Sequence, residues 1–234
     1  MTSVKAGRNN GNPSGDDDPP ALKKQETLMN KTLDYYNQTA REFIRGTIDA
    51  DFSALHQRFL SQLPEHGHIL DLGCGSGRDA KAFLDLGYTV TAIDGSPECC
   101  RLAGAYIGQP VLCLTFDALD FDQAFDGIWA CASLLHVPYG ELTAIFLKLV
   151  KALKPGGILY ASFKYGDFEG DRNGRYFTDL DEERLKALLE PVVGLTVVET
   201  FITRDVRDGR DGEIWLNVIG KKTDNISRNG CDQL

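Results

Sequence analysis

Residues 68–77 read His-Ile-Leu-Asp-Leu-Gly-Cys-Gly-Ser-Gly, and this stretch decides the fold of the 234-residue chain. The apolar residues predict a strand. The three glycines at alternate positions predict a sharp turn that a ligand can approach closely, because no Cβ intervenes. A helix should follow and point its free N–H groups at the turn. Asp71 closes the strand and would repel a pyrophosphate, so the turn is unlike a phosphate-binding loop.

The spacing of the glycines separates three kinds of cofactor site. A dinucleotide site requires G-x-G-x-x-G, and a P-loop requires G-x-x-x-x-G-K-[ST]. Gly73, Gly75 and Gly77 read G-x-G-x-G, and no Lys-Ser or Lys-Thr follows. The pattern D-L-G-C-G-S-G resembles motif I of the class I S-adenosylmethionine-dependent methyltransferases. The cofactor of that family carries an ammonium and a sulfonium, which suits the acidic Asp71. A glycine turn that binds nothing and an NAD site are the alternatives.

Two further acidic residues follow predicted strands. Residues 88–93 alternate and are β-branched, and they end in Asp94, about 20 residues beyond the glycine turn, where nucleoside-binding units place a carboxylate for the ribose. Ser96 and Pro97 suit a helix N-terminus better, which leaves Asp94 for the ribose. The run 111–116 ends before Asp117, which the resemblance places against the adenine; Asp120 and Asp122 are alternatives. The cofactor contacts implied are Asp71, Gly73, Cys74, Gly75, Gly77, Asp94, Gly95, Asp117, Ala118 and Ala132.

Later landmarks occur in the order that the resemblance requires. Residues 125–131 read as a buried strand, and the following segment, 132–138, is similar to the one that lies beside the cofactor in this family. A helix is predicted over about 139–153, before the Lys-Pro-Gly-Gly turn at 154–157. The resemblance covers about residues 30–222. It implies an α/β, Rossmann-like, doubly wound, seven-stranded and mostly parallel sheet with an antiparallel C-terminal hairpin and N-terminal cap helices.

Helices are predicted at about 26–47, 51–63 and 181–190, and the hairpin strands at about 195–203 and 213–220. We expect a disordered N-terminal tail over residues 1–25, the methyltransferase domain over 26–222 and a flexible tail over 223–234. The N-terminal stretch is too poor in hydrophobic residues to build a core.

Composition and charge narrow the class of protein. Hydrophobic residues make up 42% of the chain, yet no apolar run is long enough to span a membrane, and no secretory signal is evident. The six cysteines lack C-x-x-C spacing, so we expect reduced thiols, no metal site and a cytoplasmic location. The net charge of −9 lacks the basic footprint of a nucleic-acid-binding protein. A small-molecule acceptor is therefore favoured, and either a monomer or a homodimer is compatible with the chain.

The chemistry implied is in-line transfer of a methyl group from S-adenosyl-L-methionine, which leaves S-adenosyl-L-homocysteine. His136 follows a strand end, where open α/β sheets bind ligands, and is the candidate general base; a structural histidine is the alternative. The insertion 164–178 lacks clear periodicity and has the length of a functional lid. Arg78 could meet the cofactor carboxylate or lie at the surface. Contacts with the methyl acceptor are predicted for Tyr35, Tyr36, Tyr165, Arg175 and Tyr176.

The nearest subgroup by resemblance is the small single-domain group that includes the tellurite-resistance-type methyltransferases. Other functions stay open at this point. One is a tRNA or protein methyltransferase, which would need a basic or peptide-shaped surface. The other is a non-catalytic S-adenosylmethionine-binding module, against which the intact glycines and acids argue.

Overall fold

A computed structural model describes residues 20–207, 209–210 and 212–223. The predictions for residues 1–19 and 224–234 lie outside the described residues. Helix α1 begins at Pro20, inside the stretch assigned to the tail. The elements are α1 Pro20–Arg45, α2 Ser53–Leu60, β1 His68–Leu72, α3 Arg78–Asp85, β2 Thr89–Asp94, α4 Pro97–Ile107, β3 Leu112–Cys113, β4 Phe125–Ala130, α5 Tyr139–Ala152, β5 Leu153–Lys164, β6 Glu169–Arg172, β7 Arg175–Thr178, α6 Glu182–Leu189, β8 Leu195–Arg204 and β9 Ile214–Lys222.

One seven-stranded sheet organises the domain, in the order β3-β2-β1-β4-β5-β9-β8. The first five strands pair in parallel, and β9 pairs antiparallel with both β5 and β8. Short 3₁₀ turns at Phe116–Ala118 and Leu134–His136 follow β3 and β4. The predicted mostly parallel sheet with an antiparallel C-terminal hairpin is confirmed. The parallel strands end at one edge of the sheet, where such folds bind their ligands.

The core lies on both faces of the central strands, which explains why these strands read as apolar runs. On one face, Ile128 of β4 and Phe146 of α5 are fully buried in one cluster. On the other face, Trp129 stacks on Tyr160 with ring centroids 4.0 Å apart and packs against Phe83. Burying one side chain of this size contributes about 1.5–3 kcal/mol to stability. The core therefore fixes the strand ends that carry the candidate site.

Two segments differ from the sequence-based expectation. The insertion 164–178 contains a two-stranded hairpin, β6–β7, rather than an irregular lid. Its turn is Asn173-Gly174, where both residues have positive φ, the conformation that Asn-Gly favours in two-residue hairpins. The strand predicted over 111–116 is only two residues long, because Phe116 already starts a 3₁₀ turn. Within the described part of the chain, no helix has both the length and the apolar character needed to cross a membrane.

Candidate active site

A cavity of about 560 Å³ opens at the carboxyl edge of the parallel strands, between the sheet and α1. Its lining residues include two groups of different chemistry. The glycine half comprises Gly73, Cys74, Gly75, Ser76, Asp94, Gly95, Thr115, Phe116, Ala132 and Ser133. The aromatic half comprises Tyr35, Tyr36, His136, Lys164, Arg175, Phe177 and Trp215.

The glycine turn is made of backbone that leaves no room for side chains. Gly73, Gly75 and Gly77 have φ values of 75°, 54° and 76°. A Cβ on Gly73 would lie 2.6 Å from the Cβ of Ser133, and one on Gly77 would lie 2.9 Å from Ile107. Gly77 does not line the cavity but packs the turn against α4. The turn therefore needs glycine for both conformation and space.

The N–H groups of this turn are mostly engaged within the protein. Those of Gly73 and Cys74 both donate to the Ile93 carbonyl at 2.9 Å, and that of Gly77 donates to Cys74. Asp71 is buried beneath the turn, outside the cavity lining, and its Oδ2 accepts from the N–H of Ala80 at 3.1 Å. Burial, with Asp79 nearby, raises the pKa of Asp71. Asp71 therefore holds the start of α3.

Asp94 presents a fixed carboxylate at the end of β2. Its Oδ2 accepts from the N–H of Gly75 at 2.9 Å, and its Oδ1 accepts from the N–H of Ser96 at 2.8 Å. Burial raises the pKa of Asp94. Ser96 caps α4 by accepting from the N–H of Cys99 at 3.2 Å, with Pro97 in the first turn, which confirms the predicted cap. Each Asp94 oxygen keeps a lone pair that can face the cavity.

Helix α1 covers the glycine half. A Cβ on Gly95 would lie 2.7 Å from Leu33, and one on Gly75 would lie 3.0 Å from Phe43. Asn37 ties the helix down, since its Oδ1 accepts from the Ser96 hydroxyl at 2.6 Å. The hydroxyl of Ser133 is buried and has no hydrogen-bond partner, and it lines the same half. The glycine half is thus enclosed and has polar capacity to spare.

Besides Asp71 and Gly77, four predicted site residues do not line the cavity. Asp117 and Ala118 are exposed on their 3₁₀ turn, and the neighbouring Phe116 lines the cavity instead. The hydroxyl of Tyr165 donates to Glu182 at 2.9 Å, and that of Tyr176 donates to Glu169 at 2.8 Å. The structure does bring the remaining predicted acceptor residues, Tyr35, Tyr36 and Arg175, into the cavity with His136.

His136 is held at both ring nitrogens. Its Nδ1 lies 2.6 Å from the carbonyl oxygen of Tyr176, which can only accept, so Nδ1 carries the proton. Its Nε2 then accepts from the hydroxyl of Tyr36 at 2.8 Å. Burial lowers the pKa of His136 to about 4, and the charge of Arg175 acts in the same direction. The imidazole is therefore neutral at pH 7, and its lone pair is already used.

Arg175 lies among aromatic rings. Its guanidinium carbon is 4.7 Å from the ring centre of Tyr35 and 5.1 Å from that of Phe177. Its Nη1 approaches the hydroxyl oxygen of Tyr36 at 3.4 Å. Its Nε is buried without a hydrogen-bond partner. Arg175 thus keeps donors that the described protein groups do not use.

Sequence reasoning missed several lining residues that strand pairing brings together. Lys164 and Trp215 are register partners on β5 and β9, and the Lys164 ammonium lies 4.9 Å from the ring centre of Trp215. Lys164 also pairs with Glu213. Arg78, which the sequence left open, stacks on Phe52 at 3.6 Å and pairs with Asp79. Only the register of β9 against β5 could have indicated the first pair.

Comparison with known proteins agrees with this geometry. Residues 69–157 match the family model described as a methyltransferase domain. YqeM of Bacillus subtilis, whose assignment as a methyltransferase is provisional, is 34% identical over 134 residues, which cover 53% of this chain and 53% of that protein. The 2-methyl-6-phytyl-1,4-hydroquinone methyltransferase of Synechocystis is 34% identical over 128 residues, 51% of this chain and 39% of that protein. The chain thus spans about half or less of the length of these relatives.

A solved structure shares the fold over most of the chain. The 1,6-didemethyltoxoflavin-N1-methyltransferase of Burkholderia thailandensis, with bound 1,6-didemethyltoxoflavin and S-adenosylhomocysteine, superposes with a TM-score of 0.70. It is 23% identical, and the match covers 89% of this chain and 93% of that chain. The narrower resemblance to the tellurite-resistance-type group stays a prediction.

Proposed function

We propose that this chain, in which residues 69–157 match a methyltransferase domain, is a class I S-adenosylmethionine-dependent methyltransferase that transfers a methyl group from S-adenosyl-L-methionine to a small-molecule acceptor. The observation that carries this proposal is that the glycine half and the aromatic half line one and the same cavity. One half suits a nucleoside cofactor, and the other suits an aromatic or charged acceptor. The products would be the methylated acceptor and S-adenosyl-L-homocysteine.

The glycine half fits the cofactor on three observations. It has bare backbone at Gly73 and Gly95, where a Cβ would clash with Ser133 and Leu33, a fixed carboxylate at Asp94, and a buried unpartnered hydroxyl at Ser133. Asp94 would accept from the ribose hydroxyls, and Ser133 would hydrogen-bond a polar group of the methionyl part. When bound, the cofactor supplies a methyl group on a positively charged sulfur, which leaves as a neutral thioether. The protein supplies position and exclusion of water.

His136 would act through Tyr36 rather than on the acceptor directly. Both of its ring nitrogens are engaged, and its low pKa makes it a weak base. It orients the Tyr36 hydroxyl proton toward itself and leaves the Tyr36 oxygen to accept from Arg175 Nη1. We therefore propose His136 as a positioning residue, which revises the general-base role that the sequence suggested.

The enclosed aromatic half favours a small acceptor over a tRNA or a protein. Tyr35 and Tyr36 of α1 and Phe177 of β7 bound it with flat apolar faces. The relatives named above act on a hydroquinone and on a toxoflavin precursor, which are planar ring systems. We propose a planar small molecule as the acceptor of this chain as well. A non-catalytic binding module would not need this second half.

Calorimetric titration with S-adenosyl-L-methionine and S-adenosyl-L-homocysteine tests the proposal first. We expect micromolar binding, about 8 kcal/mol, to the wild-type chain. Asp94→Ala should weaken binding at least about 30-fold, since it removes the ribose acceptor and the tie to Gly75. Asp120→Ala is the matched control, because Asp120 is exposed, pairs with Lys151 and lies outside the cavity lining.

The same titration can contradict the proposal. Folded wild-type protein that binds neither ligand would exclude the cofactor assignment. Binding without methyl transfer to any member of a panel of planar phenols, hydroquinones and nitrogen heterocycles would favour the non-catalytic module.

A further inference from the structure

The aromatic half holds a partly buried cation that has no carboxylate partner among the described residues. Arg175 packs on Tyr35 and Phe177, and its only polar contact recorded is the long one from Nη1 to the Tyr36 oxygen. Its Nε is buried and unpartnered. Removing a charge from water without pairing it is costly, so such a group is expected to meet an opposite charge when the site is filled.

Most of the other cations that line the cavity already have a carboxylate partner. Four of them form ion pairs within the protein: Arg78 with Asp79, Lys164 with Glu213, Arg207 with Asp205, and Arg210 with Glu213. The contrast with Arg175 is therefore local to the aromatic half. The unused charge lies beside the planar faces proposed above to hold the acceptor.

The carboxylates that line the cavity are poorly placed to accept a proton from an acceptor. Asp79 is held by Arg78, His56 and Trp129, and Asp205 is held by Arg207 and Trp215. Asp94 binds two backbone N–H groups in the glycine half, and Glu42 is exposed on α1.

The thiols and the Tyr36 hydroxyl are no better placed. Burial raises the pKa of Cys74, Cys99 and Cys131, so these thiols stay protonated. The groups that act on the Tyr36 hydroxyl are Arg175, Asp94 and Cys99, together with His136, and its pKa is raised by burial. An acceptor that arrives without its proton would need none of these groups as a base.

We propose that the methyl acceptor binds as an anion whose charged oxygen is held by Arg175, with Tyr36 as the residue that positions the guanidinium. This inference rests on the proposed methyltransferase function and names the substrate class. An electron pair of the anion forms the new bond to the methyl carbon. The carbon–sulfur bond breaks, and its electron pair returns to sulfur. The positive and negative charges cancel, and no proton has to move.

The same cation could instead meet the carboxylate of the cofactor's methionyl group. The chemistry shared by both sources is a carboxylate or other oxyanion at the Arg175 donors. The two sources make different demands: an acceptor site binds an external anion when the cofactor product is already present, whereas a cofactor site controls the affinity of the cofactor product itself.

Anion titrations separate these cases. Benzoate and 4-nitrophenolate would be titrated into the full chain, alone and saturated with S-adenosyl-L-homocysteine, with benzamide as the uncharged counterpart of benzoate. We expect at least one anion to bind the saturated protein, benzamide to bind at least tenfold more weakly, and Arg175→Gln to reduce anion affinity at least tenfold while the affinity for S-adenosyl-L-homocysteine is unchanged. The visible absorbance of bound 4-nitrophenol should be that of the phenolate.

Arg184→Gln is the matched control. Arg184 stacks on Tyr139 at 4.7 Å, as Arg175 does on Tyr35, but it has Glu169 as a partner and lies outside the cavity lining. It should keep wild-type anion binding. Tyr36→Phe should reduce anion affinity less than Arg175→Gln does, because the Arg175 guanidinium remains.

Three results would overturn the proposal: neither anion binds the wild-type chain, the anions bind equally well to Arg175→Gln, or Arg175→Gln lowers the affinity for S-adenosyl-L-homocysteine instead. Failure of S-adenosyl-L-homocysteine to bind the wild-type chain would contradict the proposed function and with it the role of the anion as a methyl acceptor. The titrations without it would still test, separately, whether Arg175 binds an anion.

Discussion

The two halves of the cavity are built in opposite ways. The glycine half is mostly backbone from the ends of β1 to β4 and the turns that follow them, and its critical contacts are steric. The aromatic half is mostly side chains from elements far apart in sequence: Tyr36 and His136 are 100 residues apart, and Tyr36 and Arg175 are 139 apart. Backbone sites tolerate little change, whereas side-chain sites can be altered one residue at a time. One half can thus stay constant while the other adapts to an acceptor.

The largest expected effect tests the glycine half of the cavity. Gly73→Ala would place a Cβ 2.6 Å from that of Ser133, at a φ of 75° that costs a non-glycine residue about 1–2 kcal/mol. Relieving the contact must move the end of β1 or the segment after β4, and both line the glycine half. We expect at least about 100-fold weaker binding of S-adenosyl-L-homocysteine by calorimetry, or about 2.7 kcal/mol.

Gly108→Ala separates strain from crowding. Gly108 ends α4 with a φ of 77°, and a Cβ there would meet nothing within 4 Å. The variant carries the same backbone cost and should bind the cofactor product as the wild type does. Equal loss of binding in both variants would show that the strain, and not the contact with Ser133, is responsible.

The sequence predicted the glycine half because its information is local. A strand, a glycine turn and a helix are consecutive, and the sheet with its antiparallel edge follows from the order of apolar runs. The interior of this half was less predictable: Asp117 was expected there, but an early 3₁₀ turn brings Phe116 in instead. A shift of one residue in the start of the turn decides which side chain faces the cavity. The apolar periodicity of the sequence does not fix where the turn starts.

The aromatic half could be predicted only in part. Tyr36 and Arg175 were chosen for residue type, but their contact depends on α1 crossing the β6–β7 hairpin. Tyr165 and Tyr176 have the same composition signal and face outward. The Asn173-Gly174 turn was the available signal for the hairpin, and with it strand alternation would have placed Arg175 and Phe177 on one face and Tyr176 on the other.

A second, smaller effect tests the aromatic half through pH. The pKa of His136 is about 4 in the folded chain against an ordinary 6.5, so between these values the unfolded chain binds a proton that the folded chain does not. The free energy of unfolding therefore falls as the pH falls. From pH 7.5 to pH 5 this group should remove about 2 kcal/mol, measured by urea unfolding as the difference between wild type and His136→Gln.

Other titrating groups cancel in that difference, since both chains contain them. His66→Gln is the control for the loss of a histidine that is exposed and lies outside the cavity. A His136→Gln variant whose unfolding free energy depends on pH as strongly as that of the wild type would mean that the imidazole of His136 titrates normally. His136 would then remain a candidate general base.

The smallest expected effect sets the boundary of the aromatic half. Tyr165→Phe removes an exposed hydroxyl that donates to Glu182, and surface pairs of this kind contribute at most about 0.5–1 kcal/mol. Anion and cofactor affinities should stay within about twofold, and stability nearly unchanged. Tyr36→Phe removes the donor to the buried Nε2 of His136, which should cost about 1–3 kcal/mol of unfolding free energy in a denaturant titration. The two variants delete the same atom from tyrosines that the sequence could not tell apart. Equal losses of anion affinity in the two variants would mean that the acceptor site also includes Tyr165.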